Sequence, residues 1–264
     1  TVDNWSGTGF ICSESNLVDT DNDGLYDLWE TEGIDIDGDG EIDVNLPAMG
    51  SDPNKKDIFI EVDWMEDSEH SHKPSSESIQ RIVHSFANSP VDGKGINLHV
   101  DVGPDSIDYV NGNIWGNLSG GNSLPHQEVL GSNQSLLDDF NNLYLVNFSE
   151  VRSSSFHYSA FIHQWLDEDE PTCKSGFSFG NDYQLFVVSL GCWDDGIGTE
   201  YQQAGTFMHE LGHNLGLLHG GNEEVNYKPN YLSIMNYSFQ MSGLLLDGID
   251  GHFDYSRFNL PDLD

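Results

Sequence analysis

The sequence predicts an α+β fold, on three observations. Residues Asp57 to Trp64 (DIFIEVDW) alternate apolar and polar side chains, the period of a strand, and Gln184 to Leu190 form an apolar run rich in Val and Phe. Two other segments, 75–88 and 201–218, repeat their apolar residues at helical spacing. The order strand, helix, several strands and a long helix groups the two kinds of element instead of alternating them regularly.

Along the chain, residues 1–18 are rich in Gly, Ser and Asn and read as an irregular lead-in. Residues 19–46 hold two acidic loops in one register, 16 positions apart. After the first strand, Ser75 or Ser76 caps a helix to Asn88. Its Ile79, Ile82, Val83 and Phe86 share a face, and Pro90 ends it. A second strand is expected at Ile96 to Val102. Residues 103–135, rich in Gly, Asn and Ser, read mostly as loop, and a short helix is expected from Ser135 to Tyr144. Phe156, Tyr158, Ala160 and Ile162 alternate with polar neighbours, which predicts a strand from Phe156 to Gln164. The apolar strand and the long helix follow, and the remainder is loop with short elements.

Nine Lys and Arg stand against 45 Asp and Glu, a formal net charge of −36. A surface of that sign repels a phosphate backbone and offers no polybasic patch to anionic lipid, which argues against nucleic-acid binding and electrostatic membrane attachment. No apolar run reaches the roughly 18 residues of a spanning helix. Cation ligation, solubility in a salty medium and attraction of cationic partners remain. At 264 residues the chain can bury a substantial core. Cys173 and Cys192, 19 positions apart, flank an expected loop and strand, and a disulfide between them is expected. Cys12 is left over, open to a buried role, to a bond with either of the others, or to a link with a further segment. Thr1, with no signal peptide after it, reads as a processed or constructed start.

The chemistry concentrates in His209-Glu210-Leu211-Gly212-His213-Asn214-Leu215-Gly216-Leu217-Leu218-His219. Residues four apart share a helix face, so His209 and His213 can aim two imidazoles at one point. Zinc takes nitrogen ligands at about 2.0–2.1 Å in tetrahedral geometry, and catalytic sites keep three protein ligands and one open position. Gly216 can adopt positive φ, end the helix and return His219 as third ligand. Glu210, next to the first ligand, is placed to take the proton of a zinc-bound water, whose pKa the metal lowers to roughly 7. The other histidines (His70, His72, His84, His99, His126, His157, His163 and His252) show no ligand spacing and read as ordinary core or surface residues.

With the downstream Ser233-Ile234-Met235-Asn236-Tyr237, this segment resembles the metzincin clan of zinc peptidases, whose signature joins the three-histidine motif to a methionine turn. The resemblance implies a mixed twisted sheet with two main helices. It also implies a zinc cleft between an upper subdomain, to about residue 219, and a lower one over 220–264. Met235 would lie beneath the zinc without binding it. Tyr237 resembles the switching tyrosine of astacins and serralysins, which hydrogen-bonds the oxyanion of the tetrahedral intermediate. An edge strand, here Gln184–Leu190, would pair with extended substrate. Gly220 stands where serralysins, astacins, matrixins and adamalysins carry Pro, Glu, Ser or Asp, so no subfamily's substrate preference is transferred. The chain also looks like secreted bacterial metzincins with an acidic, calcium-type N-terminus. The expected protein is thus a secreted, extracellular zinc endopeptidase, monomeric, acting on polypeptides and released from a pro-segment.

Asp19, Asp21, Asp23, Gly24, Leu25, Asp27 and Glu30 occupy positions 1, 3, 5, 6, 7, 9 and 12 of a calcium-loop template. Carboxylates supply hard oxygens, Gly24 permits the sharp turn, Leu25 lends its carbonyl, and Glu30 can bind bidentately. Asp35, Asp37, Asp39, Gly40, Glu41 and Asp43 repeat the first nine positions. Leu46 stands where the second bidentate Glu belongs, so that loop would bind more weakly, borrow Asp27 or Glu32, or share ions with its neighbour. The tandem loops resemble thrombospondin-type calcium segments. Residues 1–56 are expected to form a calcium-ordered segment packed against a catalytic domain over 57–264. Two other functions stay open: a calcium-dependent adhesion module with a vestigial zinc site, which an intact Glu210 argues against, and a zinc amidase acting on cell-wall peptides.

Overall fold

A computed structural model describes residues 18–131, 136–167, 170–180, 184–246 and 248–257. Cys12 and the expected lead-in as far as residue 17 lie outside the described residues. Two short helices come first, α1 (Asp27–Glu32) and α2 (Leu46–Met49). The expected strand is β1 (Asp57–Glu66), and the helix capped by Ser75 is α3 (Ser76–Ala87). Then come β2 (Asn97–Asp101), β3 (Ser123–Pro125), α4 (Leu136–Asn147) and β4 (Phe156–Ile162). Three short strands, β5 (Trp165–Asp167), β6 (Glu170–Thr172) and β7 (Gly176–Ser178), precede β8 (Leu185–Ser189). The long helix is α5 (Glu200–Asn214), followed by the hairpin of β9 (Leu244–Leu246) and β10 (Ile249–His252).

The main sheet has the order β2-β1-β4-β8-β7, and β3 extends it along β1 beyond β2. All its pairings are parallel except β7 with β8, so the α+β fold has the expected mixed sheet. Alternation along the strands divides the core in two. Ile60, Val62, Leu98, Val100, Phe161, Phe186 and Val188 face α3 and α5, meeting Ile79, Ile82, Phe86, Phe207, Met208 and Leu211. Phe59, Met65, Phe156, Tyr158, Leu185 and Val187 point the other way, toward Phe140 of α4 and Leu25, Ile34, Val44, Leu46 and Met49 of the N-terminal segment. Fully burying side chains such as Phe59, Phe186, Phe207 and Leu46 stabilises the fold by about 1.5–3 kcal/mol each.

One expectation is corrected here. The strand Gln184–Leu190 is not an edge: β8 pairs with β4 on one side and β7 on the other, which leaves β7 as the edge nearest α5. The polar positions of β1 do not face water. Glu61 and Asp63 are buried, because a loop folds over them. Arg152 donates from Nη1 to Glu61 and, at 2.8 Å, to Asp101, and from Nη2 to the carbonyl of Leu118. Tyr158 Oη donates to Asp63 at 2.7 Å, and the Asn122 backbone N–H does so at 2.8 Å. This network anchors the Gly-rich stretch after β2 onto the sheet. Cys173 and Cys192 form the expected disulfide, with a Cα–Cα distance of 5.5 Å.

Candidate metal centre

A capping box starts α5: the Thr199 hydroxyl accepts from Gln202 N–H at 3.3 Å, and the Gln202 side chain accepts from Thr199 N–H at 2.8 Å. Two glycines, Gly205 and Gly212, lie seven residues apart on one face, each costing about 1 kcal/mol of helix propensity against Ala. Close packing explains both. A Cβ at Gly205 would lie 1.7 Å from the Gln240 carbonyl oxygen, and one at Gly212 would lie 2.3 Å from Met235 Sδ. Met235, Gln240, Phe253 and Tyr255 rest on that face, with Ile234 N–H donating to Asp254 O at 2.8 Å and Tyr255 Oη to Met208 O at 2.7 Å.

The helix ends earlier than its apolar spacing predicts, at Asn214 instead of Leu218. Gly216 has φ +85°, its N–H donates to His213 O at 3.0 Å, and Leu217 N–H reaches back to Gly212 O at 2.8 Å. This is a Schellman stop, and it returns the chain toward the helix so that His219 meets the other two histidines.

The ligand nitrogens of His209, His213 and His219 lie within 4.8 Å of one another, with Nε2 of His209 and His213 3.2 Å apart. Each outer nitrogen faces an oxygen. His209 Nδ1 donates to Ile234 O at 3.0 Å, His213 Nδ1 to Leu217 O at 2.8 Å, and His219 Nδ1 to Glu224 Oε2 at 3.0 Å. With the proton held on Nδ1, each ring turns an Nε2 lone pair inward, as zinc ligation requires. Burial depresses the pKa of His209 to about 3 and lowers that of His213, favouring the neutral imidazoles that bind metal. The residues fit a zinc ion.

Glu210 is buried beside this triad, and burial pushes its carboxyl up to about 8. Gly176 of β7 makes room for it: a Cβ there would lie 2.6 Å from Glu210 Oε1. No sequence signal singled out Gly176, because it approaches Glu210 only through the β7–β8 pairing. Met235 is fully buried under the helix. Tyr237 is half exposed, its ring centroid 4.7 Å from that of His219 and 5.3 Å from that of His209. Asn214 fastens the helix end to the edge of the sheet, donating to Ser178 Oγ at 2.6 Å and to Leu185 O at 3.1 Å.

The two acidic loops share one hydrogen-bond pattern. Asn22 and Gly24 N–H donate to Asp19 at 2.7 and 3.1 Å, and Gly38 and Gly40 N–H to Asp35 at 2.7 and 2.9 Å. Asp19, Asp21 and Asp23 group their oxygens, as do Asp35, Asp37 and Asp39. Asp27 serves the first loop through hydrogen bonds from Thr20. It accepts from Thr20 N–H at 2.8 Å, as Asp43 accepts from Ile36 N–H at 2.8 Å, so both aspartates close their loops. Asp57 joins Asp23 and Glu30. No hydrogen-bond donor reaches either oxygen of Glu30, whose pKa burial, then the Asp23 charge, push up to about 9. A buried carboxylate set of this kind fits a hard cation. Leu46 lies in the core, and neither Asp27 nor Glu32 joins the Asp35 group, so among the described residues none takes the place of the missing Glu.

Among the remaining histidines, His99 is a core residue paired with Asp57 at 2.6 Å, and His157 contacts Asn214 at 3.2 Å. His70, His72, His126 and His163, expected to be ordinary core or surface residues, instead bring their ring nitrogens within 4.8 Å of one another. Sequence separations of 2, 54 and 37 carry no sign of this, since the fold alone joins them.

Residues 187–236, from β8 through α5 to the methionine turn, match the Peptidase M66 family. No curated protein matches the chain. The matched stretch holds the three converging histidines, Glu210 and Met235, and it supports a zinc metallopeptidase family for this chain.

Proposed function

We propose that the chain is an extracellular zinc endopeptidase in which His209, His213 and His219 hold the metal and Glu210 is the general base. The carrying observation is the inward convergence of three imidazoles whose outer nitrogens are all committed to oxygens. When bound, zinc supplies Lewis acidity, polarising a carbonyl and acidifying a water. Glu210, buried beside the three histidines, takes the proton of the attacking water and passes it to the leaving amine. Tyr237 extends over the histidines from the methionine turn, where its hydroxyl can donate to the developing oxyanion. Substrate lies extended along the edge of β7 that pairs with no strand among the described residues, taking up backbone hydrogen bonds there.

In this reading residues 220–264 form the lower wall of the cleft, and the acidic loops bind structural calcium ahead of a catalytic domain over 57–264. The protein is secreted and acts as a monomer, with a pro-segment removed before it works. Among the described residues no helix is long and apolar enough to cross a membrane.

Mapping cut sites in a peptide library, with wild type beside Glu210→Ala and with zinc content measured in both, tests the reading. The expected result is peptide-bond cleavage lost by about 10²–10⁴-fold in the variant while zinc stays bound. Equal inertness of both zinc-loaded proteins would favour the adhesion module. Cleavage of cell-wall fragments without cleavage of casein or gelatin would favour the amidase.

A further inference from the structure

We propose that His70, His72, His126 and His163 form a second metal site, closed by four imidazoles and taking a divalent transition ion of the zinc class. The parallel strands deliver the ligands together. Beyond the end of β1 the chain doubles back, Glu66 bridging to Ser71 and His72 N–H donating to Met65 O at 2.9 Å, which brings His70 and His72 beside the strand end. His126 immediately follows β3, its N–H 3.2 Å from Glu66 O, and His163 immediately follows β4. Strands β3, β1 and β4 are adjacent and parallel, so all four histidines leave the same carboxyl edge of the sheet, the place where such sheets present ligand sites.

The rings form a complete set. All six centroid pairs lie between 4.2 and 5.4 Å. His163 Nδ1 is 3.2 Å from His72 Nε2 and 3.4 Å from His70 Nε2. A tetrahedron with metal–nitrogen bonds of about 2.0–2.1 Å places its ligands roughly 3.3–3.4 Å apart. Hydrogen bonding among the rings does not account for the arrangement. His163 Nδ1 faces two nitrogens at once, and His126 Nε2 is buried without a partner on a side chain that is 5% exposed.

Three of the four outer nitrogens face carboxylates. Asp67 lies 3.3 Å from His126 Nδ1 and 3.5 Å from His70 Nδ1, and Glu128 lies 3.4 Å from His163 Nε2. Such partners hold protons on the outside and turn lone pairs toward the centre. Gly191, just after β8, leaves the space that His163 fills, since a Cβ there would lie 2.6 Å from His163 Cδ2. Four ligands close the coordination sphere, so the ion is structural, tying the ends of β1, β3 and β4 together.

The site shares no residue with the triad, and one experiment separates the two. The full chain is loaded with Zn2+, desalted and weighed by native mass spectrometry as wild type, His72→Ala, His126→Gln and His213→Ala. The expected counts are two zinc ions per chain in wild type and one in each variant, with folding checked by circular dichroism. Should the triad bind nothing, His213→Ala would keep the wild-type count while His126→Gln lost an ion. Asp67→Asn is expected to weaken the tetrad's zinc by about 10–100-fold. With Co2+ in the His213→Ala background, tetrahedral absorption should appear and vanish on adding His126→Gln, which keeps a polar side chain of similar size if His72→Ala fails to fold. A wild type carrying one zinc, lost in His213→Ala and kept in His126→Gln, would overturn the proposal. So would a wild type that binds none.

Discussion

Gly176 shows how little separates an intact base from a displaced one. It lies on β7, yet its missing side chain is what lets the Glu210 carboxylate occupy its buried place. Gly176→Ala adds one methyl group, 2.6 Å from Oε1, 2.7 Å from Cγ and 2.7 Å from Val187 O. The Val187 carbonyl belongs to the sheet and cannot give way, so the glutamate must. A misplacement of about 1 Å costs roughly 10²-fold in rate, and that loss in kcat is expected here with zinc content unchanged. Activity equal to wild type would show that Glu210 has another rotamer in which it works. The histidine triad and Glu210 were legible in the sequence because their geometry is local, set by a helical turn and a glycine stop. Gly176 was not, because its neighbour is 34 positions away and only strand pairing joins them.

At the scale of elements, the acidic loops divide in the same way. Their 16-residue repeat was readable, and it returns as matching hydrogen bonds to Asp19 and Asp35. A linear register cannot show that Thr20 would donate to Asp27 or that Asp57, from β1, would stand beside Glu30. It also could not show that Leu46 is needed by the core beneath the sheet. Since Leu25, Leu46 and Met49 pack into that core, ordering the loops stabilises the sheet as well. Calcium added to calcium-free protein at constant zinc should therefore raise the unfolding free energy by about 2.7 kcal/mol at a hundredfold excess over Kd. Glu30→Gln should lose most of that gain, because it removes the buried carboxylate that joins the first loop to β1. A thermal midpoint indifferent to calcium in wild type would remove the cation from the account of these loops.

Across the whole molecule, 36 excess negative charges make the folded state favour protons. Among the described residues most of the acidic side chains are exposed and screened by salt; the buried set around Arg152 is not. Burial raises Glu61 to about 7 against the pull of Arg152, with Asp101 and Asp63 adding to the rise, and burial raises Asp63 to about 6. Between the ordinary carboxyl value near 4.5 and about 7, folded Glu61 keeps a proton that the unfolded chain has released. The stability this contributes is complete below about 4.5 and is lost as pH rises through about 7, so unfolding becomes easier toward neutrality. Near 1 M salt, where the screening length is about 3 Å, exposed carboxylates drop out and the buried network should dominate the remaining slope. Glu61→Gln keeps an oxygen for Arg152 but cannot ionise. In urea unfolding at pH 5 and pH 7.5 in high salt, wild type should lose more stability across that interval than the variant, by about 1–3 kcal/mol. Parallel losses would mean that Arg152 holds Glu61 ionised throughout, making the network an ordinary ion pair instead of a buried acid that resists losing its proton.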